Sequence, residues 1–222
     1  MIIGSISENK NFENRVSITP DIIKKYKSLG LEIHLCKDYA THIGIDDNEF
    51  ESQGAVIKNE DEIITNANII LQMNIPSDEK LNKLKSQQIL IGVLNPYSNE
   101  KKLKELNSKK IDCFSLELLP RITRAQSMDI LSSQANLAGY KAVIDSFAFY
   151  QKAIPMMMTA AGTISAAKVL VVGAGVAGLQ AIATAKRMGA IVFATDVRLA
   201  SKEQVESLGG KFLVVEGVEN LE

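Results

Sequence analysis

Three glycines, Gly173, Gly175 and Gly178, follow a short β-branched run in the spacing G-x-G-x-x-G and precede an alanine-rich helical pattern. In a dinucleotide site the first glycine makes the sharp turn out of the strand. The second lets a pyrophosphate approach the backbone, and the third lets the helix pack closely on the strand. The helix then presents free N–H groups and its positive dipole end to the phosphates. Because small residues at this spacing also serve ordinary helix–sheet packing, the flanking sequence must decide between the two interpretations.

An acidic residue, Asp196, ends the next predicted strand, Ala190–Asp196, about 20 residues after the glycines. A carboxylate at this position accepts hydrogen bonds from the adenosine ribose hydroxyls and repels a 2′-phosphate. The context therefore favours a dinucleotide site that prefers NAD(H) to NADP(H), although Arg198 adds a charge that attracts phosphate. The expected cofactor contacts are Gly173, Gly175, Val176, Ala177, Gly178, Asp196, Val197 and Arg198.

A second group of polar side chains lies at the start of a long helical pattern. Asp129 and Ser132 are three residues apart and share one helix face, and Arg121 precedes them. A carboxylate, a hydroxyl and a guanidinium together suit the orientation of a ligand amide. A helix-start ion pair, of little energetic value when exposed, explains the same residues. Thr123 and Gln126 fit a capping box, which is a purely structural interpretation of Gln126.

The composition is that of an ordinary globular protein, with 222 residues, 46% hydrophobic and 23% charged, and a formal net charge of −1. The neutral balance and the absence of tryptophan argue against a nucleic-acid partner. Two cysteines are too few for a disulfide framework or a metal site, so we expect no bound metal and a reducing compartment. The longest apolar region, residues 153–185, is interrupted by Lys168 and by the glycine turn, which argues against a membrane span.

Strand and helix patterns alternate over residues 1–120 and predict a parallel sheet with helices on both faces. Thr19 and Pro20 are typical of a helix start, and Gly30 of a helix end. The predicted strands are Ile2–Ile6, Glu32–Leu35, Ala55–Ile57, Ile69–Met73, Ile89–Val93 and Ile111–Phe114.

The predicted fold class is α/β, with two Rossmann-like parallel-sheet domains joined by a long helix. We place the N-terminal domain at residues 1–125, the bridging helix at 126–150 and the NAD-binding domain at 151–222. After the acid we predict a helix at Ser201–Leu208 and a third strand at Lys211–Val215. Because a complete dinucleotide fold has two βαβαβ halves, we expect the second domain to be truncated and the chain to be a fragment or a truncated subunit.

Three consecutive methionines, Met156, Met157 and Met158, lie between the long helix and the glycine turn. They are either part of the wall of a cofactor cleft or fillers of the hydrophobic core. Since methionine is a flexible gap filler, we predict core packing.

The run Pro120–Tyr140, which reads PRITRAQSMDILSSQANLAGY, closely resembles the proton-translocating NAD(P) transhydrogenases, in the NAD(H)-binding domain of their alpha subunit. The segment Glu13–Pro20 resembles an opening signature that this family shares with alanine dehydrogenases. The resemblance continues in Pro155–Gly162, Val172–Gly178, Ala194–Arg198 and Lys202–Gly210, and so extends over nearly the whole chain.

The resemblance implies that Arg121, Asp129 and Ser132 belong to a network that positions the nicotinamide. It implies that Gln126 contacts the nicotinamide end and helps to bring two rings together, while the glycines and Asp196 hold the pyrophosphate and the ribose. Hydride would pass directly between NAD(H) on this domain and NADP(H) on a partner domain, and a membrane domain would couple that step to proton movement. Such a protein has to hold two rings in register and exclude water, and no side chain has to act as an acid or a base.

The implied partners are the membrane and NADP(H)-binding domains of a transhydrogenase and a second copy of this chain in a homodimer. The implied location is the cytoplasm, peripheral to the inner membrane. Two other classes stay open: an alanine-type amino-acid dehydrogenase and a catalytically silent NAD-binding module. Alanine dehydrogenases use a lysine and a histidine to handle the keto acid, and the matching stretches, Leu71–Pro76 and Val93–Pro96, contain neither. Without those partners Arg15 is predicted to be structural.

Overall fold

A computed structural model describes residues 1–120 and 122–214 of the chain. The chain divides into two compact units, Met1–Met128 and Asp129–Glu222. Within the described residues, none of the helices has the length and apolar character needed to cross a membrane.

The first unit contains a six-stranded sheet whose paired strands all run parallel, in the order β3-β2-β1-β4-β5-β6. The strands are β1 Ile2–Ser5, β2 Glu32–Cys36, β3 Val56–Lys58, β4 Ile69–Asn74, β5 Ile89–Val93 and β6 Asp112–Ser115. The helices between them are α1 Pro20–Ser28, α2 Asp47–Ser52, α3 Glu60–Asn66, α4 Asp78–Lys83 and α5 Glu100–Ser108. All six predicted strands are therefore present, with ends that differ by one residue at most.

Burial explains why these strands form. Residues of β1 and β2 are paired in register, so that Ile3 lies beside Ile33, and both side chains are in the core. Helix α1 begins at Pro20 after the extended residue Thr19, as predicted, and its buried residue Ile23 joins the same core. One core between the sheet and its helices therefore holds the first unit together.

The second unit contains a three-stranded parallel sheet in the order β11-β10-β9. Its strands are β9 Lys168–Val172, β10 Ile191–Thr195 and β11 Lys211–Phe212, and its helices are α6 Ile130–Phe149, α7 Val176–Arg187 and α8 Ser201–Ser207. The core of this unit consists of small and β-branched residues, among them Val143, Ala181, Ile182, Val192 and Val205. Its small side chains let α6 and α7 lie close together.

The long helix differs from its prediction at its N-terminal end. A 3₁₀ helix occupies Thr123–Met128, and α6 begins only at Ile130, with Asp129 as the N-cap whose side chain accepts from the Ser132 N–H. The capping box predicted for Thr123 and Gln126 is therefore wrong as the start of the α-helix. The Asp129 carboxylate satisfies a free N–H of the first turn of α6, which sets the start there.

The methionine segment also differs from its prediction. Met157–Thr159 and Gly162–Ile164 form an antiparallel hairpin, β7 and β8, that the sequence pattern did not indicate. The methionines are 48–74% exposed, so the prediction that they fill the core is wrong. Strand β11 ends at Phe212 rather than at the predicted Val215, and Val215 lies outside the described residues.

Candidate dinucleotide-binding site

The glycine turn connects β9 to α7. Gly173 has φ = +95°, a left-handed conformation that side chains disfavour, and its N–H donates to the Thr195 carbonyl at 2.8 Å. Gly175 is the N-cap of α7, and a Cβ built on it would meet no atom within 4 Å. The space beside Gly175 is thus open for a ligand to approach the backbone.

Gly178 has a different role, because it sets the distance between the turn and the helix. A Cβ at this position would lie 1.8 Å from the Gly173 carbonyl oxygen and 3.5 Å from the Val171 side chain. Only a residue without a Cβ allows the first turn of α7 to pack on the loop in this way. The third glycine of the motif therefore performs the packing task that the sequence predicted for it.

The N-terminus of α7 is suited to an anion. No side chain caps it, and no acidic residue lies in its first turn. Val176 and Ala177 are the first residues of the helix, so their N–H groups have no carbonyl one turn earlier to bond to. The helix dipole adds partial positive charge at the same point, which together with these N–H groups makes a phosphate-binding position.

The acid predicted to bind ribose lies directly beside this turn. Strand β10 ends at Thr195 and Asp196 follows it. The backbone N–H of Ala174 donates to Asp196 Oδ2 at 2.6 Å. The Asp196 side chain is only 5% exposed, and it faces the guanidinium of Arg198 with Nε 3.0 Å from Oδ1. The two parts of the motif, 22 residues apart, are in direct contact.

The pKa of Asp196 is held well below its usual range, chiefly because the Arg198 side chain donates to it. The N–H groups of Arg198 and Ala174 donate to it as well and have the same effect. Hydrogen bonds to a charged carboxylate favour its ionised form. Asp196 is therefore an anion at any physiological pH, which makes it a strong acceptor and a poor neighbour for a second anion.

A slot of about 300 Å³ opens at the carboxyl ends of the three strands of the second unit. Asp196 lies at its polar side, and its other walls are largely apolar. It is lined by Val172, Gly173, Thr195, Asp196, Val197, Leu199, Phe212 and Val214. A flat apolar ring fits such a slot, and the carboxylate is placed for hydroxyl groups attached to that ring. Of the predicted contacts, the turn residues, Asp196, Val197 and Arg198 are thus gathered at one end of this sheet.

The other predicted site residues are less closely assembled. Ser132 donates to Asp129 through both its N–H, at 2.9 Å, and its hydroxyl, at 2.7 Å. This pair confirms that the two residues share a helix face, and it also caps α6. Gln126 is exposed in the 3₁₀ helix Thr123–Met128. Arg121 lies outside the described residues.

Several residues at the site were not predicted from the sequence. Ala174 donates to the ribose-binding acid, and Leu199, Phe212 and Val214 form walls of the slot. The available signal for the walls is that apolar residues follow the carboxyl ends of consecutive parallel strands, where ligands bind in open α/β sheets. No sequence pattern indicates a bond from the Ala174 N–H, since any residue but proline supplies it.

Parallel strands joined by helices, with a glycine turn leading into a helix and an acid after the next strand, make this a Rossmann-like α/β protein. The description can be made more specific, since a model of the alanine dehydrogenase/PNT N-terminal domain matches residues 4–138 and a model of the alanine dehydrogenase/PNT C-terminal domain matches residues 142–221. The chain belongs to the alanine dehydrogenase/PNT family.

Within this family the chain is more similar to transhydrogenases than to alanine dehydrogenases. It is 48% identical to the first of the proteins that make up the NAD(P) transhydrogenase alpha subunit of Rickettsia prowazekii, over 100% of this chain and 59% of that protein. A solved transhydrogenase structure from Sinorhizobium meliloti is 48% identical and superposes with a TM-score of 0.92, over 96% of this chain and 64% of that one. An alanine dehydrogenase of Methanococcus maripaludis is 26% identical, over 95% of this chain and 57% of that protein. The chain thus spans less than two thirds of the length of each of these proteins.

Proposed function

We propose that this chain forms the NAD(H)-binding part of an NAD(P) transhydrogenase, in which hydride passes between NAD(H) held here and NADP(H) held on a partner domain. The observation that carries the proposal is the position of the Asp196 carboxylate, 2.6 Å from the N–H of Ala174 in the glycine turn. It brings the predicted pyrophosphate and ribose contacts into one continuous surface. The similarity to transhydrogenase alpha subunits supports the choice of reaction.

The described residues fit a dinucleotide on three counts. The open space at Gly175 admits a pyrophosphate to the backbone. The uncapped start of α7 supplies donors to it, and the slot beside Asp196 has room for an adenine ring. When bound, the cofactor supplies the hydride chemistry through its nicotinamide ring. The residues of this chain bind it, orient it and exclude water.

The nicotinamide end is assigned to Arg121, Asp129, Ser132 and Gln126. In this proposal the first three form a polar network for the carboxamide, and Gln126 helps to bring the two nicotinamide rings together. The Asp129–Ser132 hydrogen bonds support the network because they fix the carboxylate and the hydroxyl on one helix turn. The same bonds cap α6, so a role in capping alone is the competing explanation.

The preference for NAD(H) over NADP(H) follows from the ionised Asp196. A 2′-phosphate beside a nearly buried carboxylate would bring two anions together, whereas a 2′-hydroxyl can donate to it. NADPH is therefore expected to bind this chain at least tenfold more weakly than NADH, a difference of about 1.4 kcal/mol. Equal affinities in a fluorescence titration would contradict the assignment of Asp196 to the ribose.

The partners in this proposal are an NADP(H)-binding domain, a membrane domain that couples hydride transfer to proton translocation, and a second copy of this chain. The chain would then lie in the cytoplasm at the surface of the inner membrane. Residues 126–150 would bridge the N-terminal domain, 1–125, and the NAD-binding domain, 151–222.

A reconstituted hydride-transfer assay tests the function. The complete subunit is mixed with an NADP(H)-binding partner domain, and transfer from NADPH to an NAD⁺ analogue is followed by absorbance. We expect transfer that depends on both proteins. Pyruvate- and ammonia-dependent oxidation of NADH, assayed in parallel, should be absent. If the second activity appeared without the first, the protein would be an alanine-type dehydrogenase, and if NADH bound with neither activity, it would be a silent binding module.

A further inference from the structure

The Asp196 carboxylate has its hydrogen-bonding capacity filled by groups of this chain. Oδ1 accepts from the Arg198 N–H at 2.8 Å and from Arg198 Nε at 3.0 Å. Oδ2 accepts from the Ala174 N–H at 2.6 Å and from Arg198 Nη2 at 3.1 Å. An ionised carboxylate offers about four lone-pair positions. Two ribose hydroxyls can therefore bond to Asp196 only if some of these donors leave.

The guanidinium is the donor that can leave. The N–H groups of Ala174 and Arg198 belong to the main chain of the turn and of the strand end, and Ala174 is only 1% exposed. The Arg198 side chain is 55% exposed, so its head can move into solvent without disturbing the core. An ion pair with one exposed partner contributes little to stability, and its exchange for another partner costs correspondingly little.

We propose that Arg198 is a specificity-determining residue that competes with the cofactor ribose for the Asp196 carboxylate and is displaced when NAD(H) binds. This inference rests on the proposed NAD(H) function of the same site. In the free protein the bidentate guanidinium occupies the positions of the two ribose hydroxyls. In the bound protein the hydroxyls replace it, while the two backbone donors keep the carboxylate in place.

The displaced guanidinium has a second consequence for cofactor choice. It remains on a residue two positions from Asp196, next to the ribose edge, where a 2′-phosphate would lie. There it would partly offset the repulsion between Asp196 and that phosphate. Arg198 thus weakens NADH binding by competition and strengthens NADPH binding by attraction, and so narrows the discrimination that Asp196 creates.

Other roles of Arg198 predict the opposite sign for NADH. If the guanidinium only clamped Asp196 in its binding position, its loss would weaken NADH binding. If it contacted the bound pyrophosphate or adenine, its loss would weaken NADH and NADPH binding alike. Only competition predicts that removal of a positive charge from the site strengthens the binding of the anionic NADH.

The test compares Arg198→Ala and Arg198→Lys in the full-length protein with Arg187→Ala, which removes one exposed charge from the last turn of α7 and leaves the Asp196 contacts intact. We expect NADH to bind Arg198→Ala about twofold to tenfold more tightly than the wild type. The lysine variant should lie between the two, since an ammonium cannot form the bidentate pair. Arg187→Ala should bind NADH as the wild type does or slightly more weakly.

Two further measurements separate competition from a change in folding. NADPH affinity should fall in Arg198→Ala while NADH affinity rises, which no general loosening of the site would produce. The advantage of Arg198→Ala for NADH should shrink as salt is raised, because salt weakens the ion pair that exists only in the wild type. Weaker or unchanged NADH binding by Arg198→Ala would overturn the inference and leave the NAD(H) function standing. Failure of the wild type and the variants to bind NADH at all would reject both.

Discussion

Gly139 of α6 lies against the main chain of Ala177 in α7, so closely that a Cβ at position 139 would stand 2.1 Å from the Ala177 carbonyl oxygen. Alanine normally favours a helix over glycine by about 1 kcal/mol. Here that gain is outweighed, because the added methyl group forces two helices apart at the first turn of the phosphate-binding helix. This contact ties the position of α7 to that of α6.

Gly139→Ala should therefore destabilise the protein by about 1–3 kcal/mol, the usual cost of overpacking. The measurement is the free energy of unfolding in urea. Asn136→Ala, at an exposed position of the same helix, is the matched control and should leave stability unchanged or slightly increased. A stable Gly139→Ala protein would mean that α6 can shift at no cost.

A second prediction separates the roles of two glycines of the turn. Gly178→Ala places a Cβ 1.8 Å from a backbone oxygen and should cost at least about 3 kcal/mol of stability or prevent folding. Gly175→Ala meets no atom within 4 Å at a negative φ of −76°, so the protein should fold with nearly unchanged stability. Its NADH affinity should nevertheless fall at least tenfold, about 1.4 kcal/mol, because the methyl group occupies the approach of the pyrophosphate. Wild-type NADH binding by Gly175→Ala would place the pyrophosphate elsewhere.

The sequence was sufficient for the strands and for the turn because both depend on local patterns. Runs such as Ile89–Val93 bury apolar side chains on a parallel sheet, and this gives a continuous hydrophobic signal. The glycine spacing is specific because each glycine has a distinct steric task, two of which the conformation of Gly173 and the packing of Gly178 confirm. The transhydrogenase resemblance came from one dense run of residues, and the similarity to transhydrogenase alpha subunits confirms it.

Features that depend on tertiary contact were not predictable in the same way. The start of α6 was misplaced because Thr123 and Gln126 fit a cap as well as Asp129 does, and only the bond from Ser132 decides between them. The methionines were placed in the core because their type is apolar, whereas the hairpin leaves them exposed. Gly139 gave no signal at all, since nothing in the sequence shows which residue of α7 faces it.

Gln126→Asn tests the assignment of the nicotinamide end. In the complete transhydrogenase complex it should slow hydride transfer about tenfold or more, because a shorter side chain changes the register of the two rings. NADH affinity should change by less than about twofold, since the pyrophosphate and ribose contacts are intact. Ser127→Ala, at the adjacent exposed position, is the control and should transfer hydride at the wild-type rate. Unaltered turnover in Gln126→Asn would remove Gln126 from the site.

Arg15 is paired with Glu13, and this pair makes the first unit sensitive to acid. Arg15 Nη2 lies 2.6 Å from Glu13 Oε2, and the Glu13 side chain is only 10% exposed. The pKa of Glu13 is lowered from 4.5 to about 2, first because the Arg15 side chain donates to it, and the Asn74 amide at 2.9 Å adds to the effect. The structural role predicted for Arg15 is consistent with this contact.

A lowered carboxyl pKa stabilises the folded state above the unfolded value, and the contribution is lost as the pH falls from 4.5 to about 2. Burial raises the pKa of the neighbouring Glu8, whose protonation in acid acts in the opposite direction, so a difference between two proteins isolates the Glu13 contribution. Arg15→Met should lower the free energy of unfolding at pH 7 by about 2 kcal/mol, with allowance for the half-exposed guanidinium.

That deficit should shrink between pH 4.5 and 2, where the wild type loses the same contribution. The measurement is urea unfolding at a series of pH values. Lys104→Met breaks an exposed pair with Glu100 and should change stability by less than about 0.5 kcal/mol at every pH. If Arg15→Met lost no more stability than Lys104→Met, the Glu13–Arg15 pair would be a surface contact without energetic weight, and the acid sensitivity of the first unit would have another origin.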